Sequence, residues 1–464
     1  MEGSDQNFSN EVNRLLPVLF FILKQNLKNH FSFFYFCYNK LAMEKYFIIS
    51  YGCQMNKSDA ERIASVLQSL GYKESKKEEE ADILIALACS VRQSAVDRVY
   101  ARIRKWNEFK KRKPVIIVLS GCLLSEDRKR LAEKVDILFD ICDLYKLPKL
   151  LSNRFKELPD PDYFHIHPSY STNFQAYVPI MTGCNNFCSY CVVPFTRGRE
   201  RSRPKNEIIE EVKQLVKKGY KEITLLGQNV NSYKSGSVRF PDLLKLINKI
   251  EGNFWIRFLT SHPKDMGDDL IEAVAILSKV TEYIHLPVQS GDDEILKKMN
   301  RGYKVKDYLD LVKKIRKKIK GVAISTDIIV GFPGETRKQF LNTKKLMEKV
   351  KFDMAYIARY SERPQTAAAK LEDNVSPQEK KRREKILTNV LKKTALFNNK
   401  KYLGKVVEVL IDSEGKGFFQ GKTRTFKNVR FKKEARNSLL GKFVKVKIKK
   451  AAFWGLEGEL IDIL

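Results

Sequence analysis

Three cysteines fall within eight positions in the segment GCNNFCSYC: Cys184, Cys188 and Cys191, spaced C-x3-C-x2-C. Three thiols are one short of a tetrahedral zinc site and the wrong count for disulfides. Three thiolates in so short a loop can each bind one iron of a [4Fe–4S] cluster, leaving the fourth iron open to a substrate. An incomplete zinc site, or a redox pair made by the CxxC of Cys188 and Cys191, are the competing readings. The full triplet, with a strand pattern before its first cysteine and Tyr190 before its last, favours the cluster.

Four more cysteines, Cys53, Cys89, Cys122 and Cys142, each follow a short apolar run: EKYFIISYG, ADILIALA, PVIIVLSG and VDILFDI. Between the runs lie helical stretches: SDAERIASVLQSLGY, with Ser58 as its N-cap, and a long basic helix over 91–113 stopped by Pro114. Strand–helix alternation implies a parallel sheet, whose strands end along one edge where ligands bind. Cysteines spread over ninety residues then meet in space. The plain alternative is four small buried residues. Spacing alone does not choose three of the four.

Those thiols need a scaffold. Residues 151–175 lack periodicity and read as a linker. A second alternation follows, with strands VPIMTG, KEITLLG, FWIRFLTS, YIHLPVQSG, AISTDIIVG and MAYIARYS and helices such as NEIIEEVKQLVKKG. Six βα repeats without a dinucleotide fingerprint predict a partial (β/α)6 barrel with polar residues at the strand ends. Past Pro377 comes a basic connecting helix and then short alternating strands, the pattern of a small antiparallel OB-like barrel. The expected class is α/β multidomain. Its units are an atypical extension at 1–42, an N-terminal parallel α/β domain at 43–150, the linker at 151–175, a central barrel at 176–397 and a terminal barrel at 398–464.

Composition bounds the function. Eight cysteines in 464 residues are too few for a disulfide scaffold and fit a reducing, cytoplasmic location. Lys and Arg outnumber Asp and Glu by 86 to 55, a net charge of +31 that calls for a polyanionic partner such as nucleic acid. The apolar run at 15–23 contains Pro17 and is too short to span a membrane. Glu2, Asp5 and Glu11 argue against a secretory or mitochondrial leader. Met43 opens a clean strand pattern and is expected to be the natural start.

The triplet at the head of a partial βα barrel resembles the signature of radical S-adenosylmethionine (SAM) enzymes. SYGCQMN at 50–56, CVVPFTRGRERSRP at 191–204, LGQNVNSY at 226–233, TSHP at 260–263, HLPVQSG at 285–291 and TDIIVGFPGET at 326–336 narrow this to the methylthiotransferases. Within them the likeness is strongest to the members acting on N6-dimethylallyladenosine in tRNA, and it runs from Met43 to the end. The resemblance implies two [4Fe–4S] clusters: a radical cluster on Cys184, Cys188 and Cys191, and an auxiliary cluster on Cys53, Cys89 and Cys122. Cys142 has no counterpart, and Leu87-Ala88 replaces the usual Asn-Thr before Cys89.

Further expectations follow from the same resemblance. One SAM methylates sulfur on the auxiliary cluster, and a second yields the radical that removes hydrogen from C2 of the adenine. No side chain is assigned as acid or base. Strand-end Gln228, Asn229, Ser261, His262, Gln289 and Asp327 are candidates to touch SAM or the base. The terminal barrel is expected to be a TRAM domain, with Lys422, Arg424 and Lys427 on tRNA. Arg197, Arg199 and Arg201 are expected at phosphate or the mouth of the site. Partners are tRNA, an unidentified electron donor and an unidentified sulfur source, with no membrane. N6-threonylcarbamoyladenosine in tRNA, an aspartate of a ribosomal protein, or non-catalytic RNA binding by a cluster protein are the alternatives.

Overall fold

The computed structural model describes residues 45–91, 93–433 and 437–464. The extension at 1–42 and the expected start at Met43 lie outside the described residues. The N-terminal unit is a sheet of β1 (Lys45–Ser50), β2 (Lys73–Glu74), β3 (Ile83–Cys89), β4 (Ile116–Cys122) and β5 (Ile137–Leu138). The order is β2-β1-β3-β4-β5 and every pairing is parallel. Central β3 is buried along its whole length, as an Ile/Leu/Ala run covered on both faces must be. Helix α1 (Gln54–Ser69) and helix α2 (Gln93–Lys110) supply the connections.

Two local expectations give way here. Cys53, not Ser58, is the N-cap of α1; Ser58 is buried inside the helix, where its hydroxyl accepts from Arg62 Nη1 at 2.7 Å. The run VDILFDI yields only two strand residues before a 3-10 turn (Ile141–Lys146) takes Cys142 away from any strand end. The stretch at 151–175 is no loose tether either. Tyr163 and Phe164 are buried, the Tyr163 hydroxyl donates to Asp59 Oδ1 at 2.5 Å, and Ser171 bonds Glu61 through both its N–H and its hydroxyl. Aromatic rings, which the absence of periodicity concealed, strap this segment to the first unit.

Six parallel strands build the central unit: β6 (Gln175–Pro179), β7 (Glu222–Leu226), β8 (Trp255–Phe258), β9 (Tyr283–His285), β10 (Ala323–Val330) and β11 (Met354–Arg359). They pair as β6-β7-β8 and β9-β10-β11, with a bridge from Ile256 to Val280 between the halves. Helices cover the outside by 3.6 periodicity; Lys205–Lys217 buries Ile208, Val212 and Leu215 against the strands.

Helix α3 (Pro377–Lys400) begins with Ser376 accepting from Glu379 N–H at 3.2 Å and Pro377 in its first turn. It leads to a closed barrel of β12 (Val406–Gly415), β13 (Phe418–Thr423), β14 (Asn428–Lys432), β15 (Phe443–Ala452) and β16 (Gly455–Ile463), ordered β12-β13-β14-β16-β15. In β15, Val444, Val446 and Ile448 point inward while Lys445 and Lys447 face water. The architecture is the expected α/β multidomain one. Among the described residues no helix is long and apolar enough to cross a membrane.

Candidate active site

Cys89 and Cys122 are the last residues of β3 and β4 and are direct register partners. Cys53 approaches them over Gly52, whose φ is +113°. A Cβ on Gly52 would lie 2.5 Å from Cys89 Cβ, so only glycine lets the two segments close this far. Asn56, one helical turn on, donates from Nδ2 to Tyr51 O (2.8 Å) and Ala88 O (2.7 Å), and its Oδ1 lies 3.9 Å from Cys122 Sγ. The Ala88 carbonyl at the sequence departure is thereby satisfied. Burial pushes the Cys122 thiol up to about 12, against the pull of Arg197.

Arg197 has buried partners that no local pattern announces. Its side chain is 3% exposed, donates from Nε to Cys122 Sγ at 3.0 Å and from Nη2 to Asn56 Oδ1 at 3.1 Å, and pairs with Asp59 at 2.5 Å. It is buried between the first and second units. Cys142 stands outside the trio, near enough for Arg197 and Asp59 to act on its thiol.

The tight triplet sits after a two-residue strand (Met181–Thr182) that continues beyond β6. Gly183, with φ +79°, donates its N–H to Gln228 Oε1 at 2.6 Å, and Cys184 N–H reaches Gly198 O at 3.3 Å. Ser189 ties the loop to Lys298 O and Met299 O, and Asn300 Nδ2 donates to Phe187 O at 3.0 Å. Buried Arg301 donates from Nη1 to Cys188 Sγ at 3.2 Å and from Nη2 to Pro287 O at 2.7 Å. Burial pushes the Cys191 thiol up to about 12 and raises that of Cys184.

The strand-end residues separate by what they touch. Gln228 accepts the Gly183 N–H with Oε1 and so shapes the cysteine loop. Asn229 Nδ2 donates to Asp265 Oδ2 at 2.8 Å while its Oδ1 is buried without a partner, as are Ser261 Oγ and His262 Nε2. His262 Nδ1 accepts from Lys264 N–H at 3.3 Å, which leaves Nε2 as the protonated donor of a neutral ring. Burial, with Arg301 and Lys264 nearby, lowers its pKa to about 2. Asn231 braces His262 on both sides, donating to its carbonyl and accepting from its N–H at 2.9 Å.

Gln289 (φ +73°) and Asp327 line a cavity of about 800 Å³ together with Cys191 and Tyr356. Val91 and Gln93 from the first unit close one side of that cavity, and Trp454 of the terminal barrel closes another.

Of the basic candidates, Arg199 is exposed with its guanidinium 4.3 Å from the Phe187 ring centre, and Arg201 holds Asp162 with two bonds of 2.7 and 2.9 Å. Arg424 grips Glu282 and Val280 O, and Lys427 is buried against Asp353 at 2.6 Å. Both hold the terminal barrel on the central one; Lys427 is buried, whereas Arg424 keeps 25% of its side chain exposed. Lys422 is half-buried, bonded to Asn428 and 4.9 Å from the Phe426 ring centre. Asn56, Asn231 and Arg301 were missed. Asn56 and Asn231 lay inside the motifs YGCQMN and LGQNVNSY, whereas nothing local marked Arg301.

The donor sets suit the groups that the resemblance implies. Among the described residues no three Cys, His, Asp or Glu side chains surround a single ion position. Cysteine sulfur is the donor that iron–sulfur clusters take, and Cys89 and Cys122 share one sheet edge while Cys184, Cys188 and Cys191 share one loop. The orphaned acceptor of Asn229, hydroxyl of Ser261 and donor of His262 fit the polar groups of SAM.

Comparison with known proteins agrees with this geometry. The Radical SAM superfamily model matches residues 178–347, the model described as Uncharacterized protein family UPF0004 matches 45–140, and the TRAM domain model matches 400–461. Among curated proteins, the chain is 44% identical over 448 residues to a tRNA-2-methylthio-N(6)-dimethylallyladenosine synthase of Thermoanaerobacter pseudethanolicus, covering 90% of this chain and 93% of the relative. The synthase of the same name from Clostridium novyi is 42% identical, covering 95% of this chain and 99% of the relative. That of Dictyoglomus thermophilum is 43% identical, covering 90% and 99%.

Proposed function

We propose, because the chain belongs to the tRNA-2-methylthio-N(6)-dimethylallyladenosine synthase family of radical SAM enzymes, that it methylthiolates C2 of N6-dimethylallyladenosine at the position 3′ of the anticodon in tRNA. The radical SAM core carries a [4Fe–4S] cluster and uses SAM. Cys184, Cys188 and Cys191 would hold that cluster, and Cys53, Cys89 and Cys122 a second one. Bound there, clusters and SAM supply one-electron chemistry and a transferable sulfur and methyl group.

The chain's own residues do the rest. Gly183 and Gln228 set the cysteine loop against the strand ends. Asn229, Ser261 and His262 offer their unspent polar atoms to SAM, and neutral His262 donates without adding charge. Gln289, Asp327 and Tyr356 line the space for the base, and Val91 and Gln93 narrow it against water. Arg199 at the rim and the exposed lysines of β15 offer charge to the tRNA backbone. A cytoplasmic location, where tRNA is modified, completes the reading.

The observation that supports it most is that one cavity is lined both by Cys191 of the tight triplet and by Val91 and Gln93, which follow Cys89 by two and four residues. A single base can therefore meet both sites without travelling across the protein. The test uses anaerobically reconstituted protein with reductant, SAM, sulfide and tRNA bearing N6-dimethylallyladenosine. Mass spectrometry of the digested tRNA is expected to find the 2-methylthio nucleoside together with 5′-deoxyadenosine. Cys184→Ala is expected to abolish both, and Cys89→Ala the nucleoside alone. Modification of tRNA bearing N6-threonylcarbamoyladenosine instead would overturn the substrate assignment.

A further inference from the structure

Cys53, Cys89 and Cys122 arrive on three separate chain segments, and one carboxamide reaches all three. Asn56 spends both Nδ2 hydrogens on the carbonyls of Tyr51 and Ala88, just upstream of Cys53 and Cys89, and turns Oδ1 toward Cys122. That oxygen is held by Arg197, which also donates to Cys122 Sγ and is itself fixed by Asp59. Asp59 is fully buried and receives the Tyr163 hydroxyl on its other oxygen. Four polar side chains are thus removed from water with mutually satisfied bonds, around thiols they do not replace as ligands.

A buried Arg–Asp pair serving only to join two units would not need to touch sulfur. A hydrophobic contact of similar volume joins units as well or better. We propose that Asn56 and Arg197 are positioning residues for the auxiliary cluster: Asn56 sets the three cysteine segments in mutual register, and Arg197 orients and tunes the Cys122 sulfur. The inference rests on the reading of Cys53, Cys89 and Cys122 as cluster ligands. Because Asp59 offsets the charge of Arg197, the tuning comes from the oriented N–H on sulfur. Such a bond favours the more electron-rich, reduced state and raises the reduction potential.

The test uses the full chain with Cys184, Cys188 and Cys191 all replaced by Ala, so that bound iron reports the dispersed site alone. Adding Cys122→Ala to this background is expected to remove the iron; retention of iron would overturn the underlying reading itself. Asn56→Ala is expected to weaken iron retention against a chelator by about 10–100-fold, the usual range for ligand-orienting partners. Asn56→Asp, which keeps Oδ1 and loses both donors, is expected to do likewise.

Arg197→Met paired with Asp59→Asn leaves no buried charge behind and is expected to move the potential, followed by electron paramagnetic resonance, to a more negative value. Arg197→Lys is expected to recover part of that shift. Unchanged iron release and unchanged potential in variants with native circular dichroism would overturn the inference while leaving the ligand assignment intact.

Discussion

Gly183 and Gly198 make a matched pair on the cysteine loop. Both have left-handed backbones, with φ of +79° and +73°, so alanine at either costs about 1–2 kcal/mol of backbone strain. Their surroundings differ. At Gly198 an added Cβ meets nothing within 4 Å, whereas at Gly183 it lies 2.0 Å from Arg199 O, 2.5 Å from Arg199 C and 2.7 Å from Gly198 O.

All three neighbours of Gly183 are backbone, so no side chain can swing aside. The strands must part by about 1 Å to reach the 3.0 Å below which real Cβ contacts are essentially absent. That movement breaks the bonds from Gly183 N–H to Gln228 and from Cys184 N–H to Gly198 O, each worth about 1 kcal/mol. Gly183→Ala is therefore expected to cost about 3–4 kcal/mol in all, against about 1–2 kcal/mol for Gly198→Ala. A reacting centre misplaced by about 1 Å loses on the order of 100-fold in rate.

Calorimetric stability, iron per chain and 5′-deoxyadenosine formation are the readouts. Gly183→Ala is expected to lose iron and most turnover while Gly198→Ala keeps both. Equal losses at the two positions, or an unharmed Gly183→Ala, would refute the claim that this close approach sets the loop.

Arg257→Met strands buried Glu222 and removes donors to Thr423 O and Arg424 O; it is expected to cost about 3–5 kcal/mol. Faster hydrogen exchange at 423–427 would register the loosened terminal barrel, and unaltered exchange would contradict its role. His262, lowered to about 2 when folded, binds its proton only in the unfolded chain over most of the acid range, so its contribution is intact above about pH 6.5 and declines as the pH falls. Its share of the loss approaches about 1.4 kcal/mol per pH unit, and a His262→Asn variant should show a correspondingly flatter acid limb in urea titrations. For tRNA binding, Arg199→Ala is expected to lower the slope of log K against log salt by about 1. Lys427→Ala and Arg424→Ala should leave that slope alone and lower stability, and a slope change in either would return them to the RNA surface.

What the sequence disclosed depended on how far apart the partners lie along the chain. The triplet at 184–191 was legible because its geometry is made within one loop. The six barrel strands and the closed terminal barrel were legible because alternation and 3.6 spacing are local patterns. Arg301 meets Cys188 across 113 residues and Arg197 meets Asn56 across 141, and no local pattern encodes such a meeting. The same distance hid the ion pairs of three basic candidates. A positive charge in a basic chain reads as surface until its carboxylate is found, and Arg197, Arg424 and Lys427 each have one from another unit. The cysteine at 142 misled because VDILFDI has the composition of a strand but pairs over only two residues.

The buried arginines give these long-range meetings a common logic. Arg197 serves sulfur, amide oxygen and carboxylate with two nitrogens; Arg257 serves Glu222 and two backbone carbonyls of the terminal barrel with three. A lysine, with one ammonium on a flexible stem, cannot span such acceptors, whereas a planar guanidinium fixes their relative directions as well as their distance. The two lie at opposite ends of the fold. Arg197 joins the carboxyl edge of the first sheet to the cysteine loop, while Arg257, with Arg424 and Lys427 reaching Glu282 and Asp353, clamps the terminal barrel beneath the starts of the central strands. The cavity beside Cys191 is thus walled by residues of all three units, whose mutual placement is already set. The ordering entropy is met on folding and not at each encounter with tRNA. Buried guanidinium bonds hold the units in that fixed relation, which charges placed on the surface, screened by salt, could not do.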